Sequence, residues 1–237
     1  MGNVLPELVS IPEGVRAPQV RQARRLLEGS YKSVDGLLEA VQELDKRRRE
    51  GNGSAKGRKS ERERDLLRAA IVFTSAGIDA SMTQLVKEAG KSLILAKKEG
   101  AYGQYREFLK QEIRPNSIPS RLRDILIDEK LEESVVDYYL TEKTKASFQG
   151  SGDLDKRVRA LLGLPKSVLG GDTKRELDSF FMGRNRIIHA MDYEDEGGKR
   201  TRRNHHDEAE VQHQCFTVLN LAAIIINETV QVLCKTE

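Results

Sequence analysis

Three side chains in the stretch GRNRIIHAMD, residues 183–192, have the chemistry to handle an anion. His189 carries an imidazole that titrates near neutral pH and can accept or release a proton. Arg184 carries a permanently charged, planar guanidinium suited to an oxyanion. Asn185 lies four residues before His189 and shares a helical edge with it, and Arg184 adjoins that edge, so the three can converge on one anion. Leu177, Phe180, Phe181, Ile187, Ile188 and Met191 recur at three- and four-residue steps and form an apolar stripe on the same helix. Arg184 falls inside that stripe. An unpaired buried charge is costly, so the guanidinium must be paired or must face a wet cleft.

Several elements must position these groups. Thr173 and Glu176 have the spacing of a capping box that opens the motif helix. The basic stretch GGKRTRRNHH follows it, and an apolar segment from Ala209 onward forms a long final helix. Upstream, Ser60 and Glu63 form a second capping box, which opens a helix with Leu67, Ile71, Thr74, Ile78, Met82 and Leu85 on its core face. Ser75, Ala76, Gly77 and Ala80 in that helix allow another backbone to come close. Asp79 sits among them, where a carboxylate needs a cation, and the motif can supply one. A long first helix runs from Pro18 to about Arg49 on the spacing of Val20, Ala23, Leu27, Tyr31, Val34, Leu38 and Val41. Residues 1–16 read as an irregular arm because Pro6 and Pro12 discourage helix. Residues 91–150 read as a helical insertion or subdomain, with helices near 101–113 and 119–145.

The composition supports this all-α reading. Charged residues make up 32% and aromatic ones 5%, with no Trp, as expected for helices with solvated outer faces rather than β-layers. The formal charge of +3 is too small by itself to demand an anionic partner, but basic residues cluster at 46–49, at 56–64 and at Lys199, Arg200, Arg202 and Arg203. Only Cys215 and Cys234 are present, which speaks for core thiols in a reducing compartment rather than a disulfide framework. With no leader-like segment after MGNVLPELVS and with the VLNLAAIII run too short for a bilayer, the expected location is cytoplasmic.

Other chemistries fit poorly. EAGKS at 88–92 ends like a phosphate-binding loop, but Leu85 stands where the first glycine is required. His205, His206 and His213 lack the spacing of a metal site and read as solvated histidines near a helix start, so no metal is expected.

An arginine, a polar residue and then a histidine after four intervening residues, late in a helical chain, resembles the RNase motif of the HEPN superfamily. The order of a helix containing SAGIDASMTQL, a variable middle, the motif helix and an apolar last helix resembles HEPN domains of the RiboL-PSP type, over roughly 18–90 and 172–235. The resemblance implies an HEPN-like helical bundle spanning 17–237, with the 91–150 region inserted. It also implies metal-independent RNA cleavage, without a cofactor, at a composite site in a homodimer. RNA brings its own nucleophile, the 2′-hydroxyl. His189 is then the general acid or base and Arg184 the phosphate clamp, while Asn185 orients the phosphate or the imidazole and Asp79 steadies Arg184. Arg186, Lys199, Arg200, Arg202 and Arg203 would bind flanking phosphates in a salt-dependent way. One motif offers a single histidine, and two-fold symmetry would supply the second. Bacterial ribonucleases of this kind resemble toxins or phage-defence effectors, which implies an antitoxin or regulatory protein partner. Two other readings stay open: a non-catalytic HEPN-like module that binds nucleotide or RNA or dimerises, and an unrelated interaction protein in which Arg184 makes a buried ion pair.

Overall fold

The computed structural model describes residues 3–10, 16–52, 59–113, 118–148, 150–194 and 202–235. Among these the chain is all-α, with a single isolated antiparallel bridge between Tyr193 and Arg203.

Pro18 opens a short 3-10 turn that leads into α1 (Arg21–Asn52), where proline suits a first turn because it has no N–H to satisfy. The expected apolar positions of α1 are buried, from Val20 and Ala23 to Leu38 and Val41. α2 (Glu61–Leu85) begins at the expected capping box: Glu63 N–H donates to the Ser60 hydroxyl, and Ser60 N–H donates to the Glu63 carboxylate at 2.7 Å. A π turn, Val86–Gly90, carries α2 without interruption into α3 (Lys91–Leu95). Ser81 of α2 donates to Ala23 O, Ser30 donates to Phe73 O, and Arg48 approaches Glu63, so α1 and α2 run antiparallel along their length. Gly77 is the small residue that this packing requires, because a Cβ there would overlap the Ser30 side chain. Ala76 and Ala80 are exposed and take no part in it.

α4 (Glu99–Glu112), α5 (Ser120–Ile125) and α6 (Leu131–Thr144) form the middle of the chain. The helix expected over 119–145 is therefore two helices, broken at 126–130. Tyr105 and Phe108 of α4 pack against Tyr139 of α6, with ring centroids 5.5 and 4.9 Å apart. This aromatic layer meets the long helices at Gly90, which lies against Leu140 and Leu161. A single turn, α7 (Ser151–Asp153), runs on into a π turn, Leu154–Arg159. α8 (Gly171–Ala190) carries the motif, and α9 (Glu208–Cys234) closes the bundle. α9 is capped by Asp207, whose carboxylate accepts from Ala209 and Glu210 N–H.

α1, α2, α8 and α9 form the frame around the core. Lys59 pairs with Glu208 near the start of both α2 and α9, and Lys98 reaches Lys235 O near their ends, so these two helices run parallel. α8 runs the other way, with Asp192 beside Arg68 at one end. Residues 3–10 are not helical but are fastened to the frame. Leu5 N–H donates to Asp35, Tyr31 OH donates to Leu5 O, and Val9 N–H donates to Asn220. The 61–95 and 208–234 stretches each contain a window apolar and long enough to cross a membrane, and at least half of each window is buried in the bundle.

Some details depart from expectation. Gly170 precedes α8 without a side-chain cap, so the Thr173–Glu176 capping box does not form: α8 starts two residues before Thr173 and leaves it inside the helix. Cys215 is a core thiol, pushed up to about 11 by burial, whereas Cys234 is exposed in the last turn of α9.

Candidate functional site

α8 buries Leu177, Phe180, Phe181 and Ile187, four of the six residues in the apolar stripe read from the sequence. Ile188 is 41% exposed, Met191 63% and Met182 60%. The buried face is narrower than the periodicity suggested, because α8 packs on α2 and α9 along one side only. Arg184, which falls among these positions on the helix, is half-buried. Its Nη1 donates to Asn185 Oδ1 at 2.9 Å, and its Nε is buried with no acceptor among the described residues. A buried N–H without a partner is costly.

Asn185, Arg186 and His189 line one open depression of about 490 Å³, together with Asp178, Phe181, Met182 and Ala190. Arg184 stands beside it, linked to it through Asn185. Arg186, which the helical spacing placed away from this edge, turns its exposed side chain into the same depression. The His189 ring is exposed and makes no hydrogen bond among the described residues, so the backbone of α8 alone sets its place. The depression thus gathers an imidazole, an amide and one guanidinium group, with a second guanidinium, that of Arg184, bonded to the amide from beside it. That set can hold an oxyanion and move a proton beside it.

Asp79 has a different partner from the one expected. Its Oδ1 accepts from Phe148 N–H at 2.7 Å, which ties α2 to the segment before α7, and no ion pair joins it to Arg184. The basic stretch after α8 is also reassigned. Arg203 donates to Asp65 at 2.8 Å and to Met191 O at 3.0 Å, so this guanidinium serves the fold instead of lying free for phosphate. Arg202 is exposed, and its carbonyl accepts from Glu194 N–H at 2.8 Å. Lys199 and Arg200 lie outside the described residues.

Sequence reasoning missed the groups that hold this end of α8. Asp192 is fully buried and faces Arg68, Asn204 and His206. Burial alone would raise its carboxyl, but hydrogen bonds from Arg68 and His206, together with Asn204, hold it below the ordinary aspartate value. His206 is therefore an engaged, largely buried ring and not a solvated one. The available signal was Arg68, next to Leu67 and Ile71 on the core face of α2, a charge that had to find a partner. His205 and His213 are exposed, as expected. Among the described residues no three His, Cys, Asp or Glu side chains are grouped so as to hold a metal ion. Comparison of the chain with protein-family models, curated proteins and solved structures gave no match.

Proposed function

We propose that the protein is an HEPN-like, metal-independent endoribonuclease whose active site is completed by a second copy of the chain. The carrying observation is the shared edge of α8, where Arg184 is tied to Asn185 beside a depression that also takes His189 and Arg186. In this reading the RNA 2′-hydroxyl attacks the adjacent phosphorus. An imidazole takes its proton, a second imidazole protonates the leaving 5′-oxygen, and the products carry 2′,3′-cyclic phosphate and 5′-hydroxyl ends. His189 provides one imidazole and the symmetry-related chain the other. Arg184 neutralises charge building on the phosphoryl oxygens. Arg186 keeps the role expected of it and binds a neighbouring phosphate. Exposed Met182 and Ile188 beside the site supply the apolar margin that a second copy would cover. A cytoplasmic, toxin-like or defence role with a neutralising partner belongs to this proposal.

The test is incubation of the purified chain with RNA. His189→Ala should reduce cleavage by at least about a hundredfold while the circular dichroism spectrum stays helical. Arg184→Lys keeps the charge but loses the planar fork, and should also impair turnover. A chelator should have no effect. Undiminished cleavage by the His189→Ala protein ends the assignment.

A further inference from the structure

The turn that ends α8 is built around a carboxylate that the proposed chemistry does not use. Asp192 lies three residues after His189 and is fully buried. Its Oδ2 accepts from Arg68 Nε at 2.7 Å and lies 2.7 Å from His206 Nε2, and its Oδ1 accepts from Asn204 Nδ2 at 3.1 Å. Its backbone is equally engaged: the N–H donates to Arg186 O at 3.0 Å, and the carbonyl accepts from Asn204 N–H at 2.8 Å. One residue thereby joins α2, the last turn of α8 and the segment that enters α9.

The backbone there is unusual as well. Met191 and Asp192 have φ of 50° and 64°, two successive non-glycine residues in the left-handed region that L side chains avoid. A glycine would end the helix in this conformation without strain. Strain of this kind persists only where surrounding contacts over-determine it, and the Asp192 contacts do so. They act on the segment that matters most to the motif. The last turn of a helix lacks intrahelical partners for its carbonyls and frays readily. Here Arg186 O receives the N–H of both Met191 and Asp192, which encloses His189 between two fixed points. No side-chain hydrogen bond orients the exposed His189 ring, so that backbone is what places it.

We propose that Asp192 is the positioning residue of the α8 motif: its carboxylate, gripped by Arg68 and His206, fixes the last turn and with it the His189 imidazole. The inference rests on reading the motif as a ribonuclease site, and its test separates the two. Asp192→Asn keeps the size of the side chain but removes the charge that holds Arg68, and with only one oxygen its amide must turn an N–H toward either Asn204 Nδ2 or the Arg68–His206 side. In the full-length variant, amides 187–190 should exchange with deuterium about tenfold faster or more, with those in α9 unchanged. RNA turnover should fall roughly tenfold to a hundredfold in kcat, with KM held within about twofold. Adding Met191→Gly to that variant should restore thermal stability without restoring kcat, because it relieves strain but does not rebuild the grip. If Asp192→Asn lowers stability while kcat per folded molecule stays at the wild-type value, or if exchange at 187–190 is unaltered, the inference is overturned. If the wild-type chain cleaves no RNA, the ribonuclease reading fails alone, and the exchange measurement still decides whether Asp192 pins the turn. Should Asp192→Asn not fold, His206→Gln removes part of the grip from a less buried position. It should shift both readouts in the same direction, and unchanged values would again overturn the claim.

Discussion

Two buried carboxylates, Glu63 and Asp192, are kept ionised by their neighbours. For Glu63, burial would raise the carboxyl, but hydrogen bonds from the Ser60 side chain and backbone, with the charges of Arg48 and Lys59, outweigh it and hold the group low. Asp192 is lowered against its own burial by Arg68, His206 and Asn204. A carboxyl depressed in the folded state contributes stability that is complete above its unfolded value, about 4, and is lost as pH falls through the folded value. The melting temperature should therefore be level near neutral pH and drop below about pH 4. Glu63→Gln should melt lower than wild type at neutral pH and show a shallower acid drop. Ser60→Ala removes half of the capping box and should lower the melting temperature by about 2–4 °C, the equivalent of ~1 kcal/mol in a chain of this size. Thermal unfolding followed by circular dichroism across that range checks all three.

Among the elements, the α1–α2 pair depends most on one position. Gly77 lets α2 approach Ser30, whose hydroxyl is engaged with Phe73 O at 3.0 Å. Gly77→Ala should destabilise the protein by about 1–3 kcal/mol, because the new methyl meets a side chain held between two long helices. Gly29, one residue before Ser30 on α1, faces open space, so Gly29→Ala should instead stabilise by about 0.5–1 kcal/mol through helix propensity. Urea titration would show the opposite signs, and Ser30→Gly should recover part of the Gly77→Ala loss. The small residues around Gly77 mark it in the sequence as a place of close approach, and the crossing of α1 over α2 supplies the neighbour, Ser30.

For the whole molecule, the proposed composite site requires one α8 motif to meet another. Met182 and Ile188 stand exposed beside Asn185 and Arg186, and a bare apolar margin next to a polar site is what a second copy would cover. Met182→Glu with Ile188→Glu should leave the melting temperature within about 2 °C of wild type, since neither side chain is in the core. Sedimentation should then report a monomer, and RNA cleavage should be lost. Wild-type mass and wild-type cleavage in this double variant would remove the composite site from the proposal.

The sequence by itself determined the long helices and much of the motif's setting. Apolar residues at helical spacing must be buried together, and the pairing of Ser60 with Glu63 is local, so both could be read from neighbours along the chain. The neighbourhood of Asn185 and His189 was legible for the same reason, since one helical edge collects residues four apart, and both line the same depression. The tertiary structure decided which charges have partners. Asp79 bonds to Phe148, Arg203 to Asp65, and Arg68 to Asp192, contacts that span 69, 138 and 124 residues of chain. Hydrogen bonds over such separations depend on how α2, α8 and the entry to α9 pack, and no local pattern encodes that packing. Ile188 and Met191 belong to the apolar stripe yet stay exposed on the same ground: periodicity marks a stripe, but only the neighbouring helices fix how much of it is covered.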